Sequence, residues 1–162
     1  MMAFEPRIVG FFCHYCALAA QDVAGKGRMN FPANIREVRV LCTGKVDILY
    51  ILKALEKGAD GVLIIGCKMG DCYFRTGNEM ASNRVRHAKR ILESIGFEKE
   101  RVEMYEVPGP MGKRFAEIVE EMVERIRTLG PSPVRKAVDD ISPEPENFPD
   151  LRGGAHPDHM VA

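Results

Sequence analysis

The sequence predicts an α/β fold: a small doubly wound sandwich with a four-stranded, mainly parallel sheet and helices on both faces. Two observations carry this. Four short runs rich in β-branched residues are each followed by a segment of helical apolar period, and strand and helix alternate in the way that crossover helices impose on a parallel sheet. A third observation bounds it. The chain has 162 residues, 46% of them hydrophobic, enough for one domain with its own core and some extra length.

The first strand is expected over residues 7–12, a short apolar run ending in Cys13, and a short helix over 16–24 follows it. Residues 35–41 alternate charged and β-branched side chains before Cys42 and read as the second strand. Val46, Leu49, Ile51, Leu52 and Leu55 then form a broad helical stripe stopped by Gly58, with Thr43 placed to cap its start. Residues 61–65 are continuously apolar up to Gly66-Cys67 and form the third strand. Ala81, Val85, Ala88, Leu92 and Ile95 repeat at helical spacing until Gly96. The fourth strand spans 101–107 up to Pro108-Gly109-Pro110, and Met111, Phe115, Ile118, Met122, Ile126 and Leu129 mark the last helix, closed by Gly130-Pro131.

Residues 1–130 thus form one domain. Residues 131–162 are a proline-rich tail that holds six of the ten prolines, has few large apolar residues and cannot build a core. It is expected to be disordered or to wrap a partner subunit, and its His156 and His159 are given no metal role.

Charge and targeting signals narrow the function. Lysine plus arginine and aspartate plus glutamate both count 23, so net charge gives no reason to expect nucleic acid or an anionic membrane as partner. Neither a transmembrane stretch nor a secretory layout is visible, and a cytoplasmic protein is expected. In that compartment five cysteines read as metal-binding or redox-active rather than as a disulfide framework. No HExxH, GxSxG, GxGxxG or Walker motif is present, and no catalytic residue is assigned.

The cysteines fall at or just after strand ends: Cys13 and Cys16 after the first strand, Cys42 after the second, Cys67 and Cys72 after the third. In an open parallel sheet ligands bind beyond the carboxyl ends of the strands. If the first strand lies between the second and third, these ends fall within roughly 10 Å of one another, given strands about 4.8 Å apart. Gly44, Gly66 and Gly70 let the loops bend around a bulky group. Four thiolates suffice for an iron–sulfur cluster or a structural zinc; the scatter over strand ends, rather than two short knuckles, favours iron–sulfur. The Cys13-His14-Tyr15-Cys16 pair, between a strand and a helix, also fits a thioredoxin-like dithiol oxidoreductase, which is the alternative reading. His14 reads as a surface residue, with a hydrogen-bond donor or ligand beside the cluster as the alternative. Lys45, Lys68 and Arg75 flank the cysteine loops, where positive charge would favour a reduced cluster, and solvated loop charges explain them equally well; the basic face of Arg84, Arg86, Lys89 and Arg90 reads as a solvated helix face without function.

Phe12-Cys13-His14-Tyr15-Cys16, Asp22-Val23-Ala24-Gly25, Arg28-Met29, Val40-Leu41-Cys42-Thr43-Gly44-Lys45-Val46-Asp47, Lys57-Gly58-Ala59-Asp60-Gly61-Val62-Leu63 and Gly66-Cys67-Lys68-Met69-Gly70-Asp71-Cys72-Tyr73 together resemble the delta subunit of the methyl-viologen-reducing hydrogenase. The likeness runs from about residue 7 to residue 129. It implies a polypeptide of methanogens and related anaerobes that holds one [2Fe–2S] cluster. It also implies electron transfer from a hydrogenase or formate dehydrogenase to the flavin-containing subunit of heterodisulfide reductase, with no substrate site of its own. Cys13, Cys16, Cys42, Cys67 and Cys72 fall on the family's five cysteine positions, and four of them are expected to ligate iron.

Overall fold

The computed structural model describes residues 4–135 and residue 137. Its elements run β1 (Ile8–Cys13), α1 (Ala17–Lys26), β2 (Ile35–Val40), α2 (Ile48–Glu56), β3 (Gly61–Gly66), α3 (Gly77–Ser94), β4 (Val102–Glu106) and α4 (Gly112–Leu129), with short 3-10 turns at Thr43–Lys45 and Lys99–Arg101. The sheet has the order β2-β1-β3-β4, and all three strand pairings are parallel. The expected α/β sandwich with β1 between β2 and β3 is therefore the fold observed.

Side-chain alternation along β1 decides which layer each residue joins. Ile8 and Phe12 point to one face, where Phe115, Ile118, Met122 and Ile126 of α4 and Ala17, Ala20 and Ala24 of α1 cover them. Phe11 points to the other, beneath Ile51 and Leu55 of α2 and Val85, Ala88 and Leu92 of α3. β3 is buried along its whole length because helices cover both its faces, which is why Gly61–Gly66 reads as an unbroken apolar run rather than an alternating one. Gly112 lets α4 lie directly on α1, since a Cβ there would stand 2.6 Å from the Ala24 backbone nitrogen.

One local expectation is corrected, and one helix start is added. Thr43 does not cap α2: Asp47 does, its carboxylate accepting the Leu49 N–H at 3.0 Å, while Thr43 starts a separate turn and is buried. α3 begins at Gly77, before its periodic apolar stripe starts, because Gly77 and Asn78 are themselves buried against the cysteine loops.

The chain after α4 returns to the amino end of the sheet. Gly130 takes the left-handed backbone (φ 77°) that turns it. Asp60, fully buried, then accepts the Ser132 N–H at 2.8 Å, the Arg7 N–H at 2.8 Å and the Arg135 guanidinium at 2.5 Å. Arg101, also buried, donates to the Asp60 and Gly130 carbonyls. The remainder of the expected tail, including His156 and His159, lies outside the described residues. Among the described residues no helix is long and apolar enough to cross a membrane.

Candidate metal centre

All five cysteines meet at the carboxyl edge of the sheet, each delivered by a different piece of local structure. Cys13 is the last residue of β1 and donates its thiol toward the Leu41 carbonyl at 3.7 Å. Cys16 immediately precedes α1. Cys42 follows β2 and caps the 3-10 turn, its sulfur accepting the Gly44 N–H at 3.4 Å. Cys67 follows β3, and Cys72 lies in the loop before α3.

The sulfurs form two groups. Cys13, Cys16 and Cys67 have sulfurs mutually within 4.8 Å. Cys42 and Cys72 form a pair with sulfurs 3.7 Å apart, the same separation as Cys13 and Cys67. Two thiolates on one tetrahedral metal with metal–sulfur bonds of about 2.3 Å lie about 3.8 Å apart, so either pair already has the edge length of such a site. Cys16 and Cys67 stand closer, at 2.7 Å, too near for neighbouring ligands of one tetrahedral ion. A donor set made only of sulfur suits soft ions and iron–sulfur clusters and disfavours hard cations.

The electrostatics of the two groups differ. Burial, then the neighbouring thiols, push the Cys67 thiol far up; burial does the same, less strongly, to Cys16 and Cys42. Burial opposes ionisation of Cys72 as well, but N–H groups of Asn78, Phe74 and Gly77 point at its sulfur and hold this thiol below its ordinary value. The start of α3 thus serves as a cradle for negative charge. Cys13 is only 1% exposed, which does not suit the accessible attacking thiol that a dithiol oxidoreductase requires.

Several residues that build this site carry no obvious sequence signal. Gly77 packs so tightly that a Cβ would overlap the Cys42 sulfur and sit 3.3 Å from Cys72 Sγ, and a Cβ on Gly44 would lie 2.8 Å from the Gly77 Cα. Two bare backbones therefore let the Cys42 loop lie against the α3 start. Asn78 spans the next loop, its side-chain amide donating to the Cys67 and Lys68 carbonyls at 3.1 and 2.8 Å. Arg84 corrects the reading of its helix face: it is half-buried and donates to the Gly44 and Val46 carbonyls at 2.6 and 3.2 Å, fastening the Cys42 loop to α3. Lys89 is likewise engaged, with Glu103 at 2.8 Å, whereas Arg86 and Arg90 are exposed. His14, Lys45, Lys68 and Arg75 are exposed around the edge.

An aromatic patch adjoins the sulfurs. Tyr15, from the Cys13–Cys16 loop, stacks on Tyr73 at 4.4 Å with the ring planes 11° apart, and Phe74 packs edge-on to both. All three remain exposed, Tyr73 by 69%.

Residues 8–130 match the model of the methyl-viologen-reducing hydrogenase delta subunit family. The chain is 45% identical over 131 residues to the iron–sulfur subunit of the F420-non-reducing hydrogenase vhu of Methanococcus maripaludis, and the match covers 81% of this chain and 98% of that one. It is 41% identical over 128 residues to the iron–sulfur subunit of the F420-non-reducing hydrogenase of Archaeoglobus profundus, 79% of this chain and 93% of that one. It also resembles, at 35% identity over 126 residues, a part of one polypeptide of the ferredoxin:CoB-CoM heterodisulfide reductase of Methanosarcina mazei; 78% of this chain is matched to 16% of that one. The chain belongs to the methyl-viologen-reducing hydrogenase delta subunit family.

Proposed function

We propose that this delta-subunit family member is a cytoplasmic electron-transfer subunit that holds one [2Fe–2S] cluster and relays electrons from a hydrogenase or formate dehydrogenase to the flavin-containing subunit of heterodisulfide reductase. The observation that carries the proposal is the convergence of five thiols from separate loops on one sheet edge, with two pairs at the 3.7 Å spacing of ligands sharing a metal. The relatives' names as hydrogenase iron–sulfur subunits support the cofactor and the donor side. The likeness to part of a heterodisulfide reductase polypeptide supports the acceptor side.

Bound there, the cluster supplies one-electron uptake and release at a fixed position. The residues supply the rest. Cys13 with Cys67 and Cys42 with Cys72 are the four proposed ligands, and Cys16 is the spare. The N–H groups at the α3 start offset negative charge beside Cys72. The glycines and Arg84 keep the Cys42 loop against the helix. Tyr15, Tyr73 and Phe74 give the partner an exposed aromatic surface of the kind that anchors protein interfaces.

The test is anaerobic purification with iron and sulfide analysis, and electron paramagnetic resonance before and after dithionite. About two irons and two sulfides, with a signal only on reduction, are expected of a [2Fe–2S] carrier. Ser variants at Cys13, Cys42, Cys67 and Cys72 should lose the signal, and Cys16→Ser should keep it. Zinc alone, or no metal, would overturn the reading.

A further inference from the structure

The sheet face that carries α2 and α3 is only partly covered. α2 packs against β3 and α3, while the edge strand β2 turns Arg36, Val38 and Val40 to this same side, where Arg36 and Val38 stand beside Val9 and Phe11 of β1. The result is an open groove of about 600 Å³ with Val9, Val38 and Val40 as its floor and Tyr50 and Ala54 of α2 as its wall. Val38 is 41% exposed and Tyr50 46%. Such contiguous apolar surface on a folded domain marks a place where something binds.

The rim of the groove is cationic. Arg7, Arg36, Lys53 and Lys57 line it, with Glu56 paired to Lys53 on the outer side of α2. The apolar floor and basic rim together call for an occupant that alternates carboxylates with large apolar side chains.

The chain itself carries such a segment, and residues that precede it, Ser132 and Arg135, are held beside the groove. Gly58 and Ala59 form one end of the groove, and the next residue, Asp60, is the one that holds Ser132 and Arg135. Residues 138–151 contain Asp139, Asp140, Glu144, Glu146 and Asp150, no lysine or arginine, and the apolar Val138, Ile141, Phe148 and Leu151. They lie beyond residues 8–130, where the family model matches. Reach is ample: fourteen residues span up to about 46 Å, against about 20 Å for the length of a six-residue strand such as β2. Tethering at Ser132 and Arg135 sets an effective concentration of about millimolar, so modest intrinsic affinity suffices to fill the groove.

We propose that residues 138–151 of this chain dock into the β2–α2 groove, with the apolar side chains on its floor and the carboxylates against its cationic rim. The segment is then a built-in cover for an apolar surface on the opposite side of β1 from α4.

The test places photoreactive benzoylphenylalanine at position 50 of the full-length holoprotein and maps the cross-links by mass spectrometry. Intramolecular cross-links to residues 138–151, independent of protein concentration, are expected. They should fall at least tenfold in a variant with Asp139, Asp140, Glu144 and Glu146 changed to Lys, which keeps the chain length. The same variant, and a chain ending at residue 137, should bind an apolar dye at the groove at least tenfold more tightly than the full-length protein. A synthetic 138–151 peptide should compete that dye away from the shortened chain. Cross-links between copies that rise with concentration, cross-links elsewhere in the chain, or dye binding unchanged by charge reversal and by truncation would each overturn the proposal.

Discussion

Replacing Gly77 with alanine adds one methyl group at the point where the Cys42 loop meets the start of α3. That methyl would overlap Cys42 Sγ and come within 3.3 Å of Cys72 Sγ, while the Gly44 backbone blocks retreat on the other side. Overpacking of this kind costs about 1–3 kcal/mol. The loop has little freedom to absorb it, because Arg84 pins the Gly44 and Val46 carbonyls to the same helix. The strain is relieved most easily by moving the Cys42 sulfur, which opens the 3.7 Å Cys42–Cys72 pair. If about 2 kcal/mol of the cost falls on the metal-binding arrangement, affinity for the cluster drops about thirty-fold. The assay is iron and sulfide per chain after anaerobic reconstitution, with the thermal midpoint measured on the same sample. Gly77→Ala should lose most of its iron with a small change in midpoint. Gly25→Ala, where a Cβ meets nothing within 4 Å, should keep its iron. Full iron loading in Gly77→Ala would refute the claim that this contact shapes the site.

Three further outcomes follow from the same structure. Arg84→Leu removes two hydrogen bonds from the Cys42 loop, a loss of about 1.5–3 kcal/mol for a charged donor, and should speed iron release to a chelator while the far-ultraviolet circular dichroism stays unchanged. Asp60→Asn removes the buried carboxylate charge that accepts from Arg135 and weakens the clasp on Ser132; a stability loss of about 2–4 kcal/mol by urea denaturation is expected, with iron content at the opposite end of the sheet preserved. Glu98 has its carboxyl held below its ordinary value by hydrogen bonds from Arg101, so its contribution is present above pH 4.5 and lost as pH falls through the depressed value. Glu98→Gln should therefore be less stable than the parent near neutral pH and should show a shallower loss of stability on acidification, measured by urea melts from about pH 7 to about pH 3.

The fold was legible because its main signals are local. The unbroken apolar run at Gly61–Gly66 and the helical stripes of α3 and α4 each follow from burial on a known face, and the alternation of strand and helix leaves few topologies to choose from. The cysteine convergence was legible for the same reason, since every cysteine stands at or soon after a strand end and a parallel sheet brings those ends together. What the sequence hid was the support of the site. Gly77 resembles any helix-starting glycine until the Cys42 sulfur, thirty-five residues earlier in the chain, is placed against it. Arg84 sits among Arg86, Lys89 and Arg90, and only the path of the Cys42 loop shows which of these four cations reaches it. Thr43 looked like a helix cap because the residue type fits; the sulfur of Cys42 holds the Gly44 N–H instead, and the cap passes to Asp47. Each of these depends on a contact between loops from different strands, and local pattern carries no information about such contacts. The same distinction separates the two ends of the sheet. The Asp60 clasp binds the backbone of Arg7 and Ser132 and so joins three distant segments through one carboxylate. In sequence Asp60 is one acid between Ala59 and Gly61, and only burial with three partners shows that it sets where the chain beyond residue 135 begins. That placement holds Ser132 and Arg135 beside the Gly58–Ala59 end of the basic groove, and it is why the charge pattern of the sequence that follows and the tether have to be read together.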